Sequence, residues 1–175
     1  EEHYREVLNL DEAHDQAYEA LDSLLVAEGR WLDLVELLER KFAVFASRDP
    51  DKARDMLLRT GFIQEQKVED AFAAADTFER VLELDPTHEH ALEELTRLYR
   101  EQNRWEDLAD HLQRRLDAAT DPDEIVELSF QLAETRRTEL YQHDQAIDMY
   151  ERIFDLDVGH DPTVEALEEL YEQEP

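Results

Sequence analysis

Tyr4-Arg5-Glu6-Val7-Leu8-Asn9-Leu10-Asp11 returns as Phe78-Glu79-Arg80-Val81-Leu82-Glu83-Leu84-Asp85, and again as Tyr150-Glu151-Arg152-Ile153-Phe154-Asp155-Leu156-Asp157. The copies stand 74 and 72 residues apart, and three residues beyond each comes a histidine: His14, His88 and His160. Self-similarity at this period marks stacked helical units, each burying its apolar face against the next. Trp31 and Trp105 keep the 74-residue spacing, and Asp49-Pro50-Asp51 and Asp121-Pro122-Asp123 keep the 72-residue one. The two-residue difference therefore falls within 34–48. A period of this size holds two helical hairpins of about 36 residues.

The apolar spacing predicts ten helices, over 2–9, 12–28, 30–47, 50–66, 68–84, 85–102, 104–119, 122–140, 143–156 and 161–172. Ala13, Ala17, Leu21, Leu24 and Leu25 make one such stripe. Gly29 suits the left-handed residue that ends a helix, and Asn103 takes its role one period later. Asp49-Pro50, Asp85-Pro86, Asp121-Pro122 and Asp161-Pro162 read as helix starts, with aspartate as cap and proline at the first position, where its missing N–H is harmless. No segment alternates with period two, and three glycines and five prolines are too few for an all-β chain. Connections of two to five residues make neighbouring helices antiparallel. The expected organisation is one array over 1–175, with super-repeats at 4–77 and 78–149 and a partial third at 150–175. The chain opens mid-pattern and without a methionine, so it is expected to be a piece of a longer protein.

Composition removes several functions. The formal net charge is −29, which excludes direct nucleic-acid binding through phosphate contacts. There is no cysteine, so disulfides, thiolate metal sites and cysteine nucleophiles are excluded. No apolar run approaches the roughly 18 residues of a membrane span, and the expected location is the cytoplasm. Charged residues make up 37% of the chain against the usual ~25%. Yet only Lys41, Lys52 and Lys67 among its 18 basic residues are lysines.

Ala146, Tyr150 and Ile153 stand four and three residues apart, as do Ala74, Phe78 and Val81, and Leu84-Asp85-Pro86 closes that helix. This pattern resembles the second helix of a tetratricopeptide repeat with its terminal proline. Leu95, Tyr99, Asn103 and Trp105 resemble the first helix and turn of the next unit. The resemblance covers nearly the whole chain, with Thr96 and Arg115 departing from the family's small residues. It implies an all-α, right-handed superhelix of helical hairpins whose first helices line a concave groove. By resemblance the groove residues are Gln16, Glu19 and Ser23, then Asp55, Leu58 and Phe62. The following units add His90, Glu93, Arg97 and Arg100, then Glu127, Phe130, Glu134 and Arg137. Leu58, Phe62 and Phe130 would be apolar anchors there, or would pack between units. The lysine-and-asparagine clamp that some relatives use on a carboxyl terminus is not matched.

Residues that could carry chemistry have plainer readings. The three recurring histidines suit a shared structural role at the turn between units. His88 and His90 point in different directions from a helix, against a metal site. His3, His111 and His143 read as solvated, and Trp31 and Trp105 as core. Glu36/Arg40, Glu93/Arg97, Asp110/Arg114 and Asp148/Arg152 have the spacing and order of helical ion pairs. No phosphate loop, nucleophile elbow or zinc-protease motif occurs.

The sequence thus reads as a non-catalytic scaffold, without cofactor or metal. It would bind a protein or peptide, basic in character because −29 steers cations. A regulatory or assembly module of a larger enzyme or signalling protein, and an acidic nucleic-acid mimic, are the alternatives. Uncovered apolar faces at the two terminal helices predict weak end-to-end self-association.

Overall fold

The computed structural model describes residues 1–173. Ten α-helices follow one another: α1 (Glu2–Leu10), α2 (Asp15–Glu28), α3 (Trp31–Phe45), α4 (Pro50–Ile63), α5 (Ala71–Leu84), α6 (Glu89–Glu101), α7 (Trp105–Ala118), α8 (Pro122–Thr138), α9 (His143–Leu156) and α10 (Asp161–Gln173). A π-helical turn, Gln64–Val68, extends α4. There is no strand among the described residues, and the fold is all-α.

The sequence repeat is reproduced as geometry. Asp11, Asp85 and Asp157 have φ of −137°, −140° and −138°, with ψ of 94°, 88° and 91°. Each N–H donates four residues back, to Val7, Val81 or Ile153. Each Oδ1 accepts from the backbone two residues on, at Ala13, Thr87 or Gly159. Each carbonyl accepts the histidine N–H, at 3.2 Å in all three. His14 Nδ1 in turn accepts the Ala17 N–H at 3.2 Å, and His88 Nδ1 the Ala91 N–H at 3.3 Å. These imidazoles satisfy the first-turn donors usually met by a serine or aspartate. His160 Nδ1 instead meets the Thr163 hydroxyl at 2.8 Å. His14 and His88 thus share a role as helix caps, while all three histidines keep the same backbone turn. Capping by His88 also moves a boundary: α6 starts at Glu89, and Asp85-Pro86 belongs to the turn before it. Asp49 and Asp121 cap α4 and α8 as expected.

Gly29 and Asn103 are left-handed, at φ 68° and 55°. Glu69 and Tyr141, 72 residues apart, are left-handed too, at 61° and 55°, and nothing in their side chains announces it. The cause lies upstream. Asp70 N–H reaches back to the Gln64 carbonyl and Gln142 N–H to the Arg136 carbonyl, widened bonds that absorb an extra residue in the last turn.

The chain forms two compact units, residues 1–98 and residues 99 onward. The first packs Tyr18, Leu21, Leu25, Leu34 and Leu38 at its centre. The second buries Leu108, Leu112, Leu128, Leu132, Tyr150 and Ile153. In the first, a Cβ at Gly61 would stand 2.9 Å from Phe78 Cζ, so glycine permits that close approach. His111 is not solvated; it is 1% exposed and meets the Tyr99 ring edge-on at 6.0 Å. Tyr4 and Tyr171 are exposed near the two ends, whereas Leu8 and Leu170 are covered.

Most cations reach across helices rather than along them. Arg80 forks onto Glu39 at 2.6 and 2.8 Å, tying α5 to α3. Arg40 donates to the Leu8 carbonyl at 2.8 Å. Lys52 and Lys41 both contact Asp15, at 2.9 and 3.3 Å. The Lys52 ammonium holds the Asp15 carboxyl below its ordinary range despite partial desolvation.

Candidate functional site: paired tryptophan clefts

Trp31 and Trp105 begin α3 and α7, immediately after the left-handed turns at Gly29 and Asn103. Each indole shares a cleft with side chains of α4 or α8. Neither is fully buried as a core residue would be; both are half-buried, and Trp31 packs against the core of the first unit. Each lies in a cleft, about 480 Å³ at Trp31 and about 290 Å³ at Trp105.

The two clefts correspond residue by residue. The first is lined by Val26, Trp31, Asp55, Leu58, Arg59, Phe62, Ile63, Gln66 and Lys67. The second is lined by Arg100, Trp105, Glu127, Phe130, Gln131, Glu134, Thr135, Thr138 and Glu139. Every position matches its counterpart at the 74- or 72-residue spacing. The first lies wholly in the first unit, between the end of α2 and the face of α4. The second lies wholly in the second, between the end of α6 and the face of α8.

Their chemistry differs. The first cleft is more apolar, and Lys67 Nζ sits 5.5 Å from the centre of the Trp31 ring, a cation–π contact. In the second, Arg100 shares the lining with Glu127, Glu134 and Glu139. Glu134 is engaged: it accepts from the Tyr150 hydroxyl, and Arg137 Nη2 lies 3.1 Å away. Burial, reinforced by Glu134, raises the Tyr150 hydroxyl above its ordinary pKa.

A further cleft of about 400 Å³ in the first unit is bounded by Glu19, Asp22, Ser23, Lys41, Lys52 and Asp55 over Tyr18, Leu37 and Met56. Arg59 forks onto Asp22 there, which raises the guanidinium pKa. A fourth, about 530 Å³ in the second unit, is lined by Pro122, Asp123, Ile125, Val126, Glu127, Leu156, Asp157 and His160.

Of the residues expected to line a groove, Glu19, Ser23, Asp55, Leu58 and Phe62 come together in the first unit. Arg100, Glu127, Phe130 and Glu134 do so in the second. Leu58, Phe62 and Phe130 are half-buried. Phe62 packs on Phe78 and His90, with ring centres 5.3 and 5.1 Å apart, and Phe130 on Tyr150 and His160, at 5.9 and 5.1 Å. Each phenylalanine therefore both packs between helices and faces a cleft. Gln16, His90, Glu93, Arg97 and Arg137 line none of these clefts. Arg97 binds Glu94 and, at 2.6 Å, Glu65. Arg137 binds Glu169 at 2.7 Å. The tryptophans, Lys67 and Glu139 were not expected in a site. Their signal was the repeat itself, but a repeated aromatic in an apolar stripe reads first as core.

A tetratricopeptide-repeat family model matches residues 91–126, which span most of α6, all of α7 and the start of α8. The fold is that of a tetratricopeptide-like repeat protein. Two crystal structures of MamA resemble it, each at 18% identity. One covers 90% of this chain and 80% of its own, with a TM-score of 0.50; the other covers 86% and 82%, with 0.51. At that identity the likeness is one of fold. No curated protein matches the chain. Among the described residues no helix is long and apolar enough to cross a membrane.

Proposed function

We propose that this chain is a non-catalytic cytoplasmic scaffold that binds a partner peptide or helix in the clefts of each unit, beside α2 and α4 in the first and beside the end of α6 and α8 in the second. The partner is basic, since the chain carries −29 and cations are steered towards it. The observation that carries this reading is the duplicated cleft. Two half-buried tryptophans, each with a matching set of lining side chains, repeat the same open surface. A side chain kept only for packing has no need to face such a surface twice. The exposed Tyr4 and Tyr171 give the ends apolar surface for weak self-association, which light scattering across a concentration series would detect.

Selection of a displayed random-peptide library on the full chain tests the reading. Selected peptides should lose binding on Leu58→Asp or Phe130→Asp, and keep it on Leu32→Asp, an exposed position outside the four clefts. Peptides that ignore both cleft substitutions would overturn it.

A further inference from the structure

Within this chain, contacts between equivalent residues change together. Glu65 pairs with Arg97 in the first unit, and the residues 72 positions on, Arg137 and Glu169, pair with the charges exchanged. Phe62 packs on Phe78; their counterparts are Glu134 and Tyr150, joined by a hydrogen bond. When one partner changed, the other did.

The rule has exceptions: Lys52 and Asp15, paired in the first unit, both stand as acids, Glu124 and Glu89, one period on. Two further exceptions lie at the clefts of the second unit, and both remove a cation from it. In the first, Arg54 lies among three carboxylates, 3.1 Å from Asp51, 3.2 Å from Asp55 and 3.5 Å from Asp85. The carboxylates persist as Asp123, Glu127 and Asp157, but the counterpart of Arg54 is Val126. The four lie together on the 530 Å³ cleft. Likewise Trp31 persists as Trp105, but Lys67, which covers Trp31, is replaced by Glu139. Among the described residues no cation covers Trp105, and none is paired with Asp123, Glu127, Glu139 or Asp157. Arg100 lines the Trp105 cleft together with Glu127 and Glu139. Residues 99–175 carry 22 acidic and 7 basic side chains, a formal −15, and contain none of the lysines.

We infer that a basic segment of the partner supplies these cations. One guanidinium enters the cleft beside Val126, taking the place Arg54 holds in the first unit. A second cationic side chain lies on Trp105, in the place of Lys67. Glu127 lines both clefts and serves both. The carboxylates give charge-assisted hydrogen bonds and the indole a cation–π face. Among the described residues no three acidic or histidine groups are placed to hold a metal ion, which suits the set to an organic cation. This inference rests on the scaffold reading above and adds the chemistry of the segment that the second unit takes.

Titration calorimetry on the full chain tests it, with the acetylated, amidated pentapeptide Arg-Leu-Arg-Leu-Arg as probe and its citrulline analogue as the isosteric uncharged control. The arginine peptide should bind one to one, and the citrulline analogue about ten-fold or more weaker. Val126→Arg and Glu139→Lys supply the internal cations of the first unit. Each should weaken binding about ten-fold or more by self-occupation, with melting no lower than the parent. Glu139→Gln removes the carboxylate without adding a cation and should weaken binding less. Glu2→Lys changes net charge as Glu139→Lys does, but outside the clefts, and should leave binding within about two-fold. Unchanged binding in both cleft variants, equal loss in Glu2→Lys, or equal binding of the citrulline peptide would each overturn the inference. If Leu58→Asp and Phe130→Asp abolish binding of selected peptides while Val126→Arg and Glu139→Lys do nothing, only this inference falls. If the first two do nothing, the scaffold reading falls.

Discussion

The exchange of Phe62–Phe78 for Glu134–Tyr150 can be tested as a double-mutant cycle. Tyr150 is fully buried, and its hydroxyl donates to Glu134, which Arg137 also holds. Tyr150→Phe removes a hydrogen bond to a charged group, worth about 1.5–3 kcal/mol. Glu134 is 31% exposed and keeps Arg137, so the loss should fall at the lower end, about 1–2 kcal/mol. Glu134→Phe alone leaves the buried hydroxyl unpaired and costs about 1–3 kcal/mol. The double variant restores the aromatic pair of the first unit, which contributes about 0.5–1.5 kcal/mol beyond burial. It should therefore be about 1–3 kcal/mol more stable than the sum of the singles predicts. Urea unfolding of the four proteins measures this. Additivity within about 0.5 kcal/mol would refute the claim that these two positions form one contact.

Other expectations follow from the caps and charges. His14→Ala and His88→Ala should each cost about 1 kcal/mol in urea unfolding, with asparagine recovering most of it, because the loss is a cap acceptor. Asp15 has its folded pKa depressed by Lys52, so its stabilisation is complete above the unfolded value of about 3.9 and lost as pH falls through the lower folded value. The melting difference between the parent and Lys52→Met should accordingly be largest near neutrality and shrink below about pH 4; a constant difference would discount the ion pair. Self-repulsion at −29 should make the melting temperature rise between roughly 10 and 200 mM NaCl. Single Glu65→Arg should destabilise by up to about 1 kcal/mol, and Glu65→Arg with Arg97→Glu and Glu94→Ala should recover it, since Arg137, Glu169 and Ala166 are that arrangement in the second unit.

The helices and their number were legible because apolar spacing and caps act locally. Asp49-Pro50 and Asp121-Pro122 start helices through contacts three residues long, and sequence carries that information directly. Asp85-Pro86 has the same letters but lies in a turn, because His88 captures the first-turn N–H instead. That choice depends on the imidazole's reach, which a dipeptide does not encode. Glu69 and Tyr141 were illegible as left-handed residues because their conformation is imposed by the widened turns before them. The phenylalanines were legible only as two alternatives, groove anchors or packing between units, and they do both. The tryptophans were not, since the spacing that marks an apolar stripe is the same whether the stripe meets another helix or an open cleft. His111 shows the reverse error: a titratable letter that the fold buries against Tyr99.

The duplication supplies what a single site lacks, a second copy built on the same backbone. Side chains that hold the fold together constrain each other, so a change at one is tolerated only with a change at the other. Glu65–Arg97 against Arg137–Glu169 is the clearest case, because the charges are exchanged while the contact lengths, 2.6 and 2.7 Å, stay the same. By that standard Asp123, Glu127, Asp157 and Trp105 are anomalous. They retain groups that in the first unit serve Arg54 and Lys67, after both cations are gone. Carboxylates left beside an apolar cleft without a counter-ion cost stability through repulsion and desolvation. Asp157 is also kept by its turn, where its Oδ1 accepts the Gly159 N–H, but no such turn bond holds Glu127 or the indole. Their retention is accounted for if the missing charges arrive with a partner.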